Sequence, residues 1–472
     1  MTTSTSNSTK ILRPGEARCP GSSTRDIIQS DKDHAENHLI EESYIFLGDK
    51  DIPFSRYTDP AFFKQEQDSM WMKVWQWACR EEDIPEVGDY TVYDIIDKSV
   101  LIVRTANDGI RAYANACLHR GTQLKPSDSC GRSKELRCPF HGFTWSLEGK
   151  ITDIPCQWDF PHINEDEFSL PQLKLECWNG FVFINFDQDA KPLSEYLNVL
   201  PEHFRNWDFK NKFTAMYVRK RLPANWKACI EAFLESYHVL ETHPQGISTV
   251  GDANTQYDTY GDHVSRFVHL VGYPSPHLES QPDQQGILDA LFAESVVEGA
   301  QSQQHDLVVT PGDTARRVFA EHMQTVLGDA YDRDFSHLSV SETIDAIEYS
   351  VFPNTCFFPS LLFPMVYRFR PDGNNPDNTI FDLLYLQPLP DSGKVPDPAE
   401  PFELNERQSF HEVPGFDPGL ATIYDQDTGN LLSQQKGFKS SLKKGETLGN
   451  YQEVRIRQLH MTLDKYLSGR ES

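Results

Sequence analysis

Cys117-Leu118-His119-Arg120-Gly121 and Cys138-Pro139-Phe140-His141-Gly142 are the two stretches on which the fold of this chain turns. Each supplies one thiol, one imidazole and a glycine. Each lies where short β-rich runs end in predicted hairpin tips, so that two ligands per loop can face inward. Two thiolates and two imidazoles suit either tetrahedral Zn(II) or a [2Fe–2S] centre of mixed ligation. Zinc-finger pairs usually keep like ligands together, as C-x2–4-C and H-x3–5-H. Here each half carries one of each kind, which suits a centre with both thiolates on one iron and both imidazoles on the other. A structural zinc site is the alternative reading.

The surroundings of the quartet read as β-structure. Tyr90 to Ile96, Val100 to Arg104 and Ile110 to Asn115 are apolar and β-branched runs, with Asn107-Asp108-Gly109 as a hairpin turn. A further hairpin is expected from Phe143 to Leu147 across Glu148-Gly149 to Lys150-Ile151, and Gly180 to Asn185 reads as a last buried strand. Residues 85–187 therefore form one small, mostly β domain. Before it, Phe62, Phe63, Met70, Trp71, Val74 and Trp77 put one apolar face on a helical stretch, part of a lead-in over 44–84 that packs on the second domain. Residues 1–43 carry Pro14, Gly15, Pro20 and Gly21 without sustained periodicity and read as a polar tail.

Residues 188–472 are mixed and read as a second, α+β domain. Residues 274–345 look like an insertion with two helices, a lid or interface element. Thr379 to Leu386 reads as a strand, and Ile456, Leu459, Leu463 and Leu467 mark a terminal helix.

This second domain carries its own motif: Asn225-Trp226-Lys227, then Glu231-Ala232-Phe233-Leu234-Glu235-Ser236-Tyr237-His238, then His243-Pro244. On a helix Glu235 and His238 share a face. His238 and His243 lie about 140° apart around an ideal helix, so they meet on one ion only if the helix ends or unwinds between them. Pro244 makes such an ending plausible. Two imidazoles and one carboxylate would form the facial triad of non-haem Fe(II), with open positions for O2. A carboxylate-bridged di-iron bundle needs two E-x2-H copies, and only Glu235 to His238 is present.

The C-x-H-R-G and C-P-x-H-G pair resembles the Rieske cluster motif. By that resemblance Cys117 and Cys138 bind one iron, and His119 and His141 the other. Respiratory Rieske proteins add a cysteine to each loop and pair the two in a disulfide. Thr122 and Phe140 stand at those positions, so that class is a poor match. Taken with the second motif, the chain from about residue 45 onward resembles the large (alpha) subunit of Rieske non-haem iron oxygenases, the ring-hydroxylating family.

The resemblance implies an α+β protein: an all-β Rieske domain and a larger catalytic domain of helix-grip, START-like type, an antiparallel sheet with helices. It implies His238 and His243 as ligands of mononuclear Fe(II), and Asp427 in Tyr424-Asp425-Gln426-Asp427-Thr428-Gly429-Asn430 as the third. Asp425, or Glu235 in a local E-x2-H-x4-H triad, are the other carboxylate choices. Glu235 takes the family's bridging role, linking the catalytic histidine to a Rieske histidine, His141, of a neighbouring subunit. Many members have Asp there; Glu resembles the amine-oxidising and demethylating branch. Ala232 replaces an Asn found in many relatives.

The implied activity is that of a terminal oxygenase, hydroxylating an aromatic or other largely apolar compound once or twice. Demethylation or amine oxidation is the alternative within the family. A non-catalytic Rieske electron carrier or redox sensor is the alternative outside it, but leaves the second motif unexplained. The chain has no G-x-G-x-x-G fingerprint and no C-x4-C-x2-C ferredoxin run. A separate NAD(P)H reductase, perhaps with a ferredoxin, is therefore the expected electron donor, and a head-to-tail homotrimer, with or without a small beta subunit, the expected assembly.

Composition agrees. Among 472 residues, 44 Lys and Arg against 70 Asp and Glu give a formal charge of −26, which disfavours nucleic acid and anionic membranes as partners. Nine cysteines are too few for a disulfide scaffold, and the Ser/Thr-rich start has no apolar core, so a cytoplasmic setting is expected. Two basic clusters could receive an acidic partner locally: Lys436, Lys439, Lys443 and Lys444, and Arg219-Lys220-Arg221. The apolar run from Cys356 to Phe363 could line a substrate pocket or simply be core.

Overall fold

The computed structural model describes residues 12–105, 109–164, 166–294, 307–390 and 395–469. Its smaller part is all β. A four-stranded antiparallel sheet runs Cys130–Arg132, Asp89–Ile95, Lys98–Arg104, Ile110–Ala114. A three-stranded sheet, Leu136–Arg137, Thr144–Trp145, Ile151–Asp153, carries the second cluster loop at its first hairpin tip. The side chains between the sheets, among them Leu101, Val103, Phe143 and Trp145, form a core that also holds Cys117 and Cys138. Of the expected Asn107-Asp108-Gly109 turn, Asn107 and Asp108 lie outside the described residues.

The boundary expected at residue 85 falls too late. Gln76–Arg80, assigned to the helical lead-in, is a buried strand paired with Phe181–Asn185, which in turn pairs with Lys174–Trp178. Asn179 and Gly180 join the last two strands, both with positive φ, the backbone of a two-residue type I′ hairpin whose twist matches the strands.

The larger part is built on an eight-stranded sheet ordered Gln256–Tyr260, Val264–His269, Ala346–Val351, Thr355–Phe358, Met365–Asp372, Asn375–Pro388, Lys212–Leu222, Phe402–Leu404. All neighbours are antiparallel except the last pair. The helices Pro418–Ser440 and Val454–Leu467 lie on one face, so the α+β, helix-grip expectation describes the architecture. Alternation along the Thr355–Phe358 strand sends Phe358 toward Tyr367 and Phe267 on the helix face, and Phe357 toward Trp178, Phe181 and Phe204 on the other. The run from Cys356 to Phe358 is thus shared between two faces rather than lining one pocket.

Asp382 joins the two parts. Wholly buried, it pairs with Arg219 at 2.8 Å, Arg368 at 2.9 Å and Arg370 at 3.1 Å. Two of these arginines donate onward to backbone carbonyls of the smaller part: Arg368 to Trp77 and Ala78, Arg370 to Asp94.

The described part of the expected polar tail is instead packed. A capped helix, Thr24–Ser30, buries Ile27 and Ile28, and Leu39 is fully buried. Buried Asp31 meets Arg316 at 3.0 Å, tying this segment to the insertion helix Ala315–Tyr331. The buried side chains of this N-terminal segment, Ile27, Ile28 and Leu39, join the main core. Among the described residues no helix is long and apolar enough to cross a membrane.

Candidate metal centres

The two cluster loops are held by matching hydrogen bonds. Cys117 N donates to Thr122 O and Gly121 N to Cys117 O; Cys138 N donates to Phe143 O and Gly142 N to Cys138 O. Gly121 and Gly142 have φ near +80°, the left-handed conformation that lets each chain reverse this tightly. The loops differ at their bases. The second is a true hairpin tip, whereas the first follows Ile110–Ala114, and among the described residues the chain leaving it forms no strand that pairs back with that one. Buried Asn115 closes it instead, accepting from Leu124 N and Lys125 N and donating to Lys125 O.

Both thiols are buried, neither is in a disulfide, and burial pushes Cys117 upward. The His119 and His141 rings lie 4.6 Å apart, and the Nδ1 atom of each is buried with no hydrogen-bond partner. Unpaired buried polar atoms are costly unless something else binds them. Two adjacent thiols and two unpaired imidazole nitrogens are a donor set that fits a mixed-ligand [2Fe–2S] cluster.

In the larger part, the helix expected over Asn225 to Tyr237 is shorter than its periodicity suggests. Asn225 caps Trp226–Glu231, and the chain then leaves helical geometry from Ala232 to His238. Tertiary hydrogen bonds replace the lost ones. Arg455 donates to Leu234 O, Tyr257 Oη accepts from Ser236 N, and Ser236 Oγ meets Thr255 Oγ1. A second short helix, Val239–Thr242, starts after His238 and ends at His243, whose φ of −124° and ψ of 56° are not helical. The five-residue spacing thereby ceases to be an obstacle.

His238, His243 and Asp427 converge, with one ligand atom from each within 4.8 Å of the others. Asp427 Oδ1 is 2.8 Å from His243 Nε2 and 3.5 Å from His238 Nε2. It is nevertheless buried without a hydrogen bond: the three atoms face a common point rather than one another. With two neutral imidazoles, Asp427 and the adjoining Glu235 bring two negative charges, which suit a divalent cation. Burial lowers His238, but the nearby carboxylates of Asp427 and Glu235 outweigh it and hold the ring up to about 10, as expected where cation charge is favoured. Asp427 is displaced below the ordinary carboxylate range: burial raises it, and the two histidines more than offset this.

The far side of each ring is fixed too. Glu235 Oε1 accepts from His238 Nδ1 at 2.8 Å while its Oε2 accepts from the His238 backbone N at 3.0 Å. Gln426 Oε1 accepts from His243 Nδ1 at 2.8 Å and from Gln245 at 2.8 Å. Each bond puts the ring proton on Nδ1 and frees Nε2 as a donor to metal. Gln426 was not singled out from sequence; its neighbour Asp427 was the available signal. Gln426→Leu is expected to weaken Fe(II) affinity by roughly 10–100-fold with the fold unchanged, read by metal titration against circular dichroism.

Of the three carboxylate choices, only Asp427 faces the Nε2 atoms. Asp425, two residues earlier on the same helix, accepts from Ser409 Oγ and Phe410 N and lies 3.8 Å from Lys220. The Tyr424–Asn430 stretch is part of the helix Pro418–Ser440, not a turn. The basic cluster Arg219-Lys220-Arg221 is largely structural: Arg219 serves Asp382 and Glu403, Lys220 is buried, and Arg221 pairs with Asp372. In the other cluster Lys439 pairs with Asp377 and Lys443 with Asp51.

Comparisons with known proteins bear on both centres. A family model for the ring hydroxylating alpha subunit (catalytic domain) matches residues 204–469, and one for the Rieske [2Fe-2S] domain matches 74–166. The carnitine monooxygenase oxygenase subunit of Escherichia coli K12 is 29% identical over 247 residues, 51% of this chain and 63% of the relative. The alpha subunit of biphenyl 2,3-dioxygenase from Rhodococcus jostii RHA1 is 29% identical over 198 residues, 40% of this chain and 43% of the relative. These matches span less than two thirds of the curated relatives' length. In fold, the chain resembles a quaternary ammonium Rieske monooxygenase in complex with L-carnitine, with TM-score 0.60 and 16% identity over 88% of this chain and 95% of that one. It also resembles naphthalene 1,2-dioxygenase with indole bound, with TM-score 0.61 and 15% identity over 90% and 94%.

Proposed function

The chain belongs to the ring-hydroxylating oxygenase alpha-subunit family, and from that premise we propose that it is a terminal oxygenase acting on a methylated quaternary ammonium compound. The convergence of His238, His243 and Asp427 in a chain that also holds the Cys117, His119, Cys138 and His141 quartet carries the oxygenase reading. The substrate class is supported by Glu235 at the bridging position and by the carnitine and glycine betaine monooxygenase subunits among the relatives. Hydroxylation of an aromatic compound is the second reading, favoured by the salicylate 5-hydroxylase and biphenyl dioxygenase relatives.

Cys117, His119, Cys138 and His141 would hold a Rieske cluster that would supply electrons singly, and His238, His243 and Asp427 would hold Fe(II) that would supply O2 activation. The chain's own residues set the conditions for this. Glu235 and Gln426 hold the two imidazoles in the tautomer that presents Nε2. Asp427 supplies the charged ligand from a long, capped helix, so its position is tied to the core through Tyr424 and Leu431. His243 and Asp427 are buried and His238 half-buried, which limits water at the site.

Electrons come from a separate reductase, directly or through a ferredoxin, and the protein works in the cytoplasm as a homotrimer. Exposed apolar side chains beside both centres support assembly: Phe140 at 58% and Trp158 at 81% near the cluster loops, Tyr237 at 57% beside His238. In that ring Glu235 faces His141 of the next subunit. The test is reductase-driven O2 uptake with carnitine, glycine betaine, salicylate and biphenyl. Stimulation by the betaines with loss of a methyl or side-chain carbon supports the first reading; stimulation by the aromatics alone replaces it with the second.

A further inference from the structure

Behind the iron-binding segment lies a second buried group of titratable side chains that neither centre uses. Tyr57 Oη is 3.0 Å from both oxygens of Glu231, 2.5 Å from Glu446 Oε1 and 2.9 Å from His460 Nε2. His460 Nε2 is 2.8 Å from Glu231 Oε1. Tyr57 is fully buried, Glu231 and His460 nearly so, while Glu446 keeps an edge toward solvent. Glu231, Glu446 and His460 also meet metal-ligand spacing. The short contacts here satisfy hydrogen-bond geometry, however, whereas Asp427 Oδ1 at the iron triad does not despite its 2.8 Å approach to His243.

Counting hydrogens decides what the group holds. Burial keeps His460 neutral, and its ring hydrogen belongs on Nε2, where Glu231 accepts it, since Nδ1 is buried with no partner. The Tyr57 hydroxyl has one hydrogen and cannot donate to two carboxylates. Each carboxylate is paired if His460 Nε2–H donates to Glu231 Oε1, Tyr57 O–H donates to Glu231 Oε2, and a protonated Glu446 donates to the Tyr57 oxygen; the remaining Tyr57 approaches to His460 Nε2 and Glu231 Oε1 carry no hydrogen of their own.

We propose that Tyr57, Glu231, Glu446 and His460 form a buried proton-holding site behind the iron-binding segment, with the proton on Glu446 at neutral pH and exchange with solvent through the solvent-facing edge of Glu446. The electrostatics agree. Burial and the Glu231 charge push Glu446 up to about 9, and burial pushes Glu231 up to about 7. The charged groups facing the site are Arg56 and Lys227, Glu66 paired to Lys227 at 2.6 Å, and Glu453, Arg457 and Asp464 from the C-terminal segment. Glu231 ends the helix Trp226–Glu231, four residues before Glu235, which accepts from His238. The role rests on the oxygenase reading: monooxygenation, RH + O2 + 2 e− + 2 H+ → ROH + H2O, takes its electrons from the reductase and must also take up two protons. Glu446, at the solvent edge, refills the site.

The test is reduced-minus-oxidised infrared spectroscopy of the full chain loaded with both centres. A protonated-carboxyl band is expected that moves in 2H2O, changes on reduction, disappears in Glu446→Gln and shifts upward in Tyr57→Phe. No such band, an identical band in Glu446→Gln, or an extra metal equivalent lost with that variant would overturn the proposal. In turnover, Glu446→Gln should lower product formation by about threefold or more and raise the solvent isotope effect; neither changing would overturn the exchange. Should the wild-type protein oxidise no substrate, the oxygenase reading fails, while the reduction-linked band still decides this one. The linkage also has a sign: because Glu446 is raised in the folded chain, its contribution to stability is full at low pH and lost as pH rises through about 9. Glu446→Gln should flatten stability across that window.

Discussion

Asp427→Ala is expected to abolish turnover, by a factor of at least about 10³, while the spectrum of the Rieske cluster stays unchanged. The reasoning is geometric and electrostatic together. Among the described residues Asp427 is the one carboxylate whose oxygen faces both Nε2 atoms, and its removal leaves two neutral imidazoles to hold a divalent ion. Iron analysis should fall from about three atoms per chain to about two, the cluster pair remaining. Asp425→Ala is the matched control on the same helix. It removes the acceptor of Ser409 and Phe410 but nothing from the triad, so iron content should hold at about three. Loss of iron from Asp425→Ala with retention in Asp427→Ala would reverse the assignment.

Asp382→Asn should be the most destabilising single change in the protein, costing more than about 4 kcal/mol. The carboxylate is wholly buried and counters Arg219, Arg368 and Arg370; neutralising it leaves Arg219 with Glu403 but the buried guanidinium groups of Arg368 and Arg370 without a partner charge among the described residues. Two of those groups hold backbone carbonyls of the Rieske part, so the loss should appear as domain separation as well as a lower Tm. Limited proteolysis should cut the variant between the two parts while each centre keeps its own residues. A Tm within a few degrees of wild type would refute the keystone role. The pH dependence has a definite direction. Burial alone would raise Asp382, but the three arginines hold it well below the ordinary carboxylate range. Its stabilisation is therefore present above that ordinary range and lost only as pH falls through the depressed value.

Much of the site could be read directly. The Cys117–Gly121 and Cys138–Gly142 loops are short, and the ligands within each are neighbours in sequence, so local spacing carries the chemistry. His238 and His243 were readable as a pair for the same reason, although the helix proposed to carry them breaks at Ala232, where Arg455, Tyr257 and Thr255 from distant segments supply the missing hydrogen bonds. Asp427 needed the family resemblance, because nothing within its own helix distinguishes it from Asp425. The packed N-terminal segment was missed because its helices are short and bury only a few apolar side chains, Ile27, Ile28 and Leu39, in the main core, too few to show a period. The start of the β domain was missed because Gln76–Arg80 is buried on both faces and so shows no alternation.

By itself, then, the sequence determined the ligand types, their pairing within each loop and the presence of two centres in two domains, since all of these depend on contacts a few residues apart. Only the tertiary structure brought Asp427, rather than Asp425, up to both imidazoles, set Gln426 against His243, joined the two parts through Asp382 and packed Tyr57, Glu231, Glu446 and His460 together. Those choices depend on side chains brought together from segments far apart in the chain, where direction and burial, not spacing, select the partner.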